Sequence, residues 1–164
     1  MAEQKKWEGT VSTTLENANA DQIWPFWKDF YSINKWFPGQ TTCEGIHGNN
    51  GEPGCIRYCG DLPVPAIDGT ASSWTRERLI AIDDIEKSFS YEILECNFGV
   101  KSYVANVKID PVAAGDNGRG CRIEWRFTVE PVEGWRLEDM VSNYEVWLKI
   151  MVKNMEAAVF DQSS

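Results

Sequence analysis

Three side chains between positions 54 and 103 combine a reactive type with a spacing that turns them inward: Arg57, Glu77 and Tyr103. Neighbours on a β-strand face opposite ways. In Ser73-Trp74-Thr75-Arg76-Glu77-Arg78-Leu79-Ile80-Ala81, Arg76 and Arg78 share one face, and long cations seek water. Glu77 therefore shares the other face with Leu79 and Ala81. Tyr103 has the parity of Ala105, Val107 and Ile109, opposite Asn106 and Lys108. Arg57 falls with Cys55 and Cys59, both of a type that favours burial. An unpaired buried charge is costly or changes its protonation state. Two chemistries stay open on parity alone: an Arg57–Glu77 salt bridge that satisfies itself inside a barrel, or a ligand-binding or catalytic site.

Other chemistries are poorly served. The single histidine, His47, sits in a Gly/Asn-rich turn, and Cys55 and Cys59 have no second pair at zinc spacing. No metal site is expected, and Cys55 and Cys59 read as small core residues. The five cysteines, Cys43, Cys55, Cys59, Cys96 and Cys121, are odd in number and suit a reducing compartment. A net charge of −9 and a pI near 4.6 argue against nucleic acid and anionic membranes as partners. No apolar run approaches the ~18 residues of a membrane span. The N-terminus, Met1-Ala2-Glu3-Gln4-Lys5-Lys6, lacks an apolar signal region. A cytoplasmic protein without membrane insertion is the expectation. The 164 residues, 43% apolar with eight tryptophans, suit one domain, 1–164, and large aromatics both fill cores and line cavities.

The elements that must position these groups are mostly strands. Strand one spans 7–15, with Trp7, Gly9, Val11, Thr13 and Leu15 on one side. Asn19, with Gln22 three residues on, is a capping-box start for a helix to about Phe30, although Pro25 can kink or delay it. Ser32 can cap a second short helix ending before Pro38-Gly39. Strands follow over 41–46, 55–60, 71–82, 88–96, 101–109 and 121–129. In the fifth, Phe89, Tyr91, Ile93 and Glu95 share a face; in the last, Cys121, Ile123, Trp125, Phe127 and Val129 form the core side. The segment 61–69 is an apolar loop with Leu62 and Pro63 near its start, packed on the domain end or covering a cavity mouth. After Gly134 the period becomes helical: Leu137, Met140, Val141, Tyr144, Leu148, Met151, Val152, Met155 and Val159 make one stripe. That helix has about 24 residues and a length of roughly 36 Å. The architecture is α+β, a curved seven-stranded antiparallel sheet around a long C-terminal helix with two short helices after strand one. Such a sheet and helix leave a space between them. Trp125, Tyr144, Leu148 and Met151 are its expected lining, with Leu62 and Pro63 at the mouth.

The element order and a set of short motifs resemble the START/Bet v 1-like helix-grip superfamily (SRPBCC, polyketide cyclase/dehydrase-like). Within it the chain is similar to plant proteins related to onion lachrymatory-factor synthase. The motifs are Lys6-Trp7 with Gly9 and Val11, Lys28-Asp29-Phe30, Gly54-Cys55-Ile56-Arg57-Tyr58, Glu77-Arg78-Leu79 before Ala81-Ile82-Asp83, Ser90-Tyr91, Glu95-Cys96 and Val132-Glu133-Gly134. The resemblance implies a cavity with catalytic Arg57, Glu77 and Tyr103, and isomerisation of an alkenyl sulfenic acid to a thial S-oxide without a cofactor. Glu77 would shuttle the proton, its acidity tuned by burial against Arg57; Arg57 would hold the sulfenate oxygen and Tyr103 orient it. The 61–69 loop departs from the synthases and resembles the Leu-Pro gate loop of abscisic acid receptors in the same superfamily. Those receptors hold the hormone carboxylate with a lysine, and Thr41 stands at about that position. The implied partner is a small hydrophobic molecule. The alternatives to an isomerase are a non-catalytic carrier or sensor of a plant metabolite, and a regulator in which Leu62 to Ala66 closes on the ligand and docks another protein of unknown identity.

Overall fold

The computed structural model describes residues 5–37, 39, 41–67, 69, 72–112 and 120–163. The order is β1 (Trp7–Leu15), α1 (Ala20–Lys28), a 3₁₀ helix (Phe30–Lys35), β2 (Thr42–His47), β3 (Ile56–Gly60), β4 (Trp74–Asp83), β5 (Ser88–Cys96), β6 (Val104–Val112), β7 (Gly120–Val129) and α2 (Leu137–Ser163). The strands form one sheet in the order β1-β7-β6-β5-β4-β3-β2, each pair antiparallel. Hairpins carry the chain from β2 to β7. β1 joins the far edge, and the two short helices span the distance between the sheet's ends. Among the described residues no helix is long and apolar enough to cross a membrane.

Alternation builds the core face. Cys121, Ile123, Trp125, Phe127 and Val129 of β7 are all buried, as are Ala105, Val107 and Ile109 of β6. α2 lays Met140, Leu148, Met151, Val152, Met155 and Val159 on that face, all buried. Gly9 makes the fit possible: a Cβ there would come within 2.4 Å of the Phe127 ring and 3.0 Å of Val141 on α2. α1 begins where its capping box places it, with Gln22 N–H donating to Asn19 Oδ1 (2.9 Å) and Asn19 N–H to Gln22 Oε1 (3.0 Å). Pro25 lies inside α1 without delaying its start, and its carbonyl accepts Asp29 N–H at the helix end.

Two bulges revise the alternation. The β4–β5 register slips between Arg76/Glu77 and between Leu79/Ala81. Each bulge sets two residues against one and reverses the faces beyond it. Ala81 is therefore exposed rather than sharing Glu77's face, and Ile82 takes the inward place opposite Phe89. Glu95 likewise leaves the face of Phe89 and Tyr91, pairing outside with Arg76 (3.2 Å).

The cysteines bring a second correction. Cys43 and Cys59 are opposed on β2 and β3 and form a disulfide, with Cα atoms 4.2 Å apart; Cys55, Cys96 and Cys121 are free. Cys59 is buried in the core as read, but it is bridged rather than free, because the β2–β3 register, invisible in sequence, sets it against Cys43. A bridge between residues 16 apart contributes about 3 kcal/mol on loop-entropy grounds. Protein denatured without reductant is expected to release three of its five thiols to a thiol reagent. A count of five would remove the bridge.

Candidate functional site

The inward residues of β3 and β4 stand in two rows. Arg57 is opposite Glu77, with Gly45 of β2 on its other side; Cys59 is opposite Thr75, with Cys43 beyond it. Arg57 Nε donates to Glu77 Oε1 at 2.8 Å, and Nη2 lies 2.7 Å from the same oxygen. Nη1 donates to the carbonyl of Phe30 at 2.8 Å. The guanidinium carbon sits 3.8 Å from the Phe30 ring centre and 5.3 Å from that of Tyr91. The two side chains are only 6% and 12% exposed. The ion pair anticipated from parity thus forms, held by charge-assisted bonds and aromatic faces. Both Arg57 contacts fall on Oε1, so Glu77 Oε2 takes no part in them. Gly45 is required beside the pair, because a Cβ there would meet the Tyr31 ring at 2.2 Å. Tyr31 neighbours Phe30 in the chain, and its hydroxyl bonds the His47 and Gly48 carbonyls, both at 2.8 Å.

Tyr103 is buried as expected, but it precedes β6 and bonds neither Arg57 nor Glu77. Its hydroxyl lies 3.3 Å from that of Tyr91 and accepts a hydrogen bond from Tyr144 at 2.7 Å. Tyr91 therefore links the two halves of the site, its ring near Arg57 and its hydroxyl on Tyr103. The inward parity of Tyr91 with Phe89 was visible in sequence; its role needs the register that sets it opposite Leu79 and Ala105. Burial first, and then the neighbouring phenols, push Tyr103 well above the usual tyrosine range; burial does the same for Tyr91 and Tyr144. All three remain neutral hydroxyls at physiological pH and can donate hydrogen bonds there.

A stability consequence follows. Unfolded tyrosines ionise near pH ~10. Above that pH the unfolded chain holds fewer protons than the folded one, so the stability these phenols contribute is complete below it and lost as pH rises. In an alkaline titration followed by tyrosinate absorbance, at least three of the five tyrosines are expected to stay silent until the protein unfolds. Smooth ionisation of all five in folded protein would contradict this.

These groups line a cavity of about 320 Å³ between the sheet, the short helices and α2, a size at the lower end of small-molecule sites. Arg57, Glu77 and Tyr103 all reach it, as do Leu62, Pro63, Trp125, Tyr144 and Met151. Leu148 does not: it is fully buried in the core and absent from the lining. Sequence reasoning missed Trp27, Phe89, Thr75 and the Cys43–Cys59 bridge as lining. Leu62 to Pro65 line the cavity, as do Trp135, Arg136, Asp139 and Asn143 before and on α2. Ser73 Oγ donates to the Leu62 carbonyl at 2.8 Å, and Ile67 N–H donates to the Asn97 carbonyl at 2.9 Å, which fasten the loop at both ends. Asp68 and Thr70, in and beside the expected loop, lie outside the described residues. Among the described residues no group of three or more His, Cys, Asp or Glu side chains could hold a metal ion.

A family model described as polyketide cyclase/dehydrase and lipid transport matches residues 6–158. Three solved structures share the fold, each with a TM-score of 0.66. The protein XoxI from Bacillus cereus is 21% identical, with 96% of this chain and 98% of that one covered. A protein from Bacillus thuringiensis is 21% identical over 94% and 99%. Ginseng major latex-like protein 151, from Panax ginseng, is 20% identical over 93% and 97%. At such identities the likeness is one of fold, and residue roles rest on the site itself.

Proposed function

The chain belongs to the polyketide cyclase/dehydrase and lipid transport family, and from that premise we propose that its cavity binds a small, largely apolar molecule on which Glu77 moves a proton without a cofactor. One observation carries the reading. A buried arginine–carboxylate pair faces an otherwise mostly apolar cavity, with Arg57 Nε and Nη2 both directed at Glu77 Oε1. Arg57 can stabilise negative charge developing on a substrate oxygen, and Glu77 Oε2 can accept and return a proton. The neutral hydroxyls of Tyr103, Tyr91 and Tyr144 can hold the oxygen in place.

The similarity to lachrymatory-factor synthases supplies the specific reaction. In a 1-propenyl sulfenic acid, Glu77 takes the S–O–H proton and delivers it to the alkene carbon one removed from the sulfur-bearing carbon. The C=C bond becomes C–C, the C–S bond becomes C=S, and the product is an isomeric thial S-oxide. Generating this sulfenic acid in situ with and without the protein, and quantifying the thial S-oxide by mass spectrometry, tests the reading. Product formation above the protein-free rate is expected; an unchanged yield would remove this activity.

A second reading, a carrier or sensor of an apolar plant metabolite, is favoured by the self-sufficiency of the Arg57–Glu77 pair, which needs no ligand to satisfy it. It predicts saturable tryptophan-fluorescence changes without turnover. Native mass spectrometry of protein from its own source, showing a retained molecule, would identify the ligand in either case.

A further inference from the structure

The junction between α1 and the 3₁₀ helix reaches Arg57 from outside the sheet. Phe30 supplies the carbonyl that accepts from Arg57 Nη1 at 2.8 Å and the ring 3.8 Å from the guanidinium carbon. That carbonyl belongs to the peptide joining Phe30 to Tyr31. The N–H of the same peptide donates to Asn50 Oδ1 at 3.0 Å. Among the described residues no peptide bond is cis, so the two groups point opposite ways across one rigid plane. The peptide is gripped on one side by buried Arg57 and on the other by Asn50, an exposed residue of the turn between β2 and β3.

Asn50 is itself held. Its Oδ1 faces a backbone donor, and its Nδ2 donates to Asp29 Oδ1 at 2.7 Å. Asp29 is fixed by its own backbone: its N–H donates to the Pro25 carbonyl and its carbonyl accepts from Ser32 N–H, both at 3.1 Å. The turn is seated closely, since a Cβ at Gly51, whose φ is +82°, would come within 3.2 Å of the Lys28 carbonyl. A chain of donors and acceptors thus runs from the surface to the cavity wall: Asp29 carboxylate, Asn50 amide, the 30–31 peptide, Arg57 guanidinium and Glu77 carboxylate. The Asp29 charge polarises the Asn50 amide, the amide polarises the peptide, and the peptide carbonyl becomes a better acceptor for Arg57. The geometric effect is as direct. Arg57 Nε and Nη2 converge on one oxygen of Glu77, a contact about which the guanidinium can pivot. Nη1 on the Phe30 carbonyl stops the pivot.

We propose that Asn50 is a positioning residue: through the 30–31 peptide it holds the Arg57 guanidinium, and with it the Glu77 carboxylate, in the orientation that the cavity's ligand meets. This rests on Arg57 acting in the cavity. The test reads Arg57 directly, as hydrogen exchange of its Nε–H by NMR in the intact isotope-labelled protein, with the β7 backbone amides as the reference for global stability. Asn50→Ala is expected to raise Arg57 exchange about tenfold relative to that reference. Asn50→Asp alone sets two carboxylates together and is expected to do the same. Asn50→Asp combined with Asp29→Asn reverses donor and acceptor between the two positions and keeps an oxygen for the Tyr31 N–H. It is expected to return exchange to the parent's rate. On 1-propenyl sulfenic acid, Asn50→Ala is expected to lower kcat about tenfold at unchanged KM. Arg57 exchange that stays at the parent's rate in Asn50→Ala, rises equally in β7, or is not restored by the paired exchange overturns the inference. So does an unchanged kcat in a variant whose Arg57 exchange has risen. A parent that forms no thial S-oxide removes the isomerase reading instead, and the exchange rates still decide the role of Asn50.

Discussion

Glu77→Gln is expected to slow isomerisation of the alkenyl sulfenic acid by about 10²–10⁴-fold, the usual worth of a positioned proton-transfer group. Glutamine keeps the length and planarity of the side chain, and its carbonyl can still accept from Arg57 Nε, now 2.8 Å from Glu77 Oε1. It cannot carry a proton between the substrate's oxygen and carbon. The loss should therefore fall on turnover rather than on ligand affinity, which tryptophan fluorescence measures separately. The variant also leaves the Arg57 charge unanswered in a pocket only 6% exposed, so melting curves must show that it is folded at the assay temperature. A folded Glu77→Gln that matches the parent's rate would end the proton-shuttle role.

Glu77 was legible because of its neighbours. Arg76 and Arg78 both belong in water, and they are 3.2 Å from Glu95 and 3.0 Å from Glu92 on the outer face. Two outward cations flanking one carboxylate leave it only the inner face, whatever the tertiary structure. β7 and α2 were legible for the same reason, since their periods run unbroken over the whole element. Local pattern failed where geometry depends on a partner strand. A bulge adds one residue without any fixed sequence signal, so the outward turn of Ala81 and Glu95 could not be read from alternation. The Cys43–Cys59 bridge needed the β2–β3 register, and the Tyr91–Tyr103–Tyr144 chain needed three elements at once. Trp27 lies on a nine-residue helix carrying Ile23, Trp24 and Trp27 as buried residues, and nothing in that stripe says which of them reaches a cavity. The match of Arg57, Glu77 and Tyr103 to a family site came from resemblance. Parity alone left the salt bridge and the active site equally open, and the structure forms the salt bridge on the wall of a cavity.

Stability measurements separate those two roles. Arg57→Met is expected to destabilise the fold by about 3–5 kcal/mol, because it strands a mostly buried carboxylate. It also removes the donor to the Phe30 carbonyl and the cation packed 3.8 Å from the Phe30 ring. At this chain length that corresponds to a melting point lower by roughly 6–20 °C. Replacing both partners, in Arg57→Met with Glu77→Leu, removes both charges and refills the space with apolar groups. Apolar replacement of a whole buried pair is often neutral or stabilising by about 1–4 kcal/mol. The double variant is therefore expected to recover most of the lost stability, held slightly below the parent by the orphaned Phe30 carbonyl. It is also expected to lose turnover, since neither oxyanion stabilisation nor proton transfer survives. A pair replaceable for folding but indispensable for chemistry is what a functional site requires. If the double variant melts as low as Arg57→Met alone, the pair is holding β3 and β4 together, and the self-satisfied salt bridge becomes the better account of why these residues face inward.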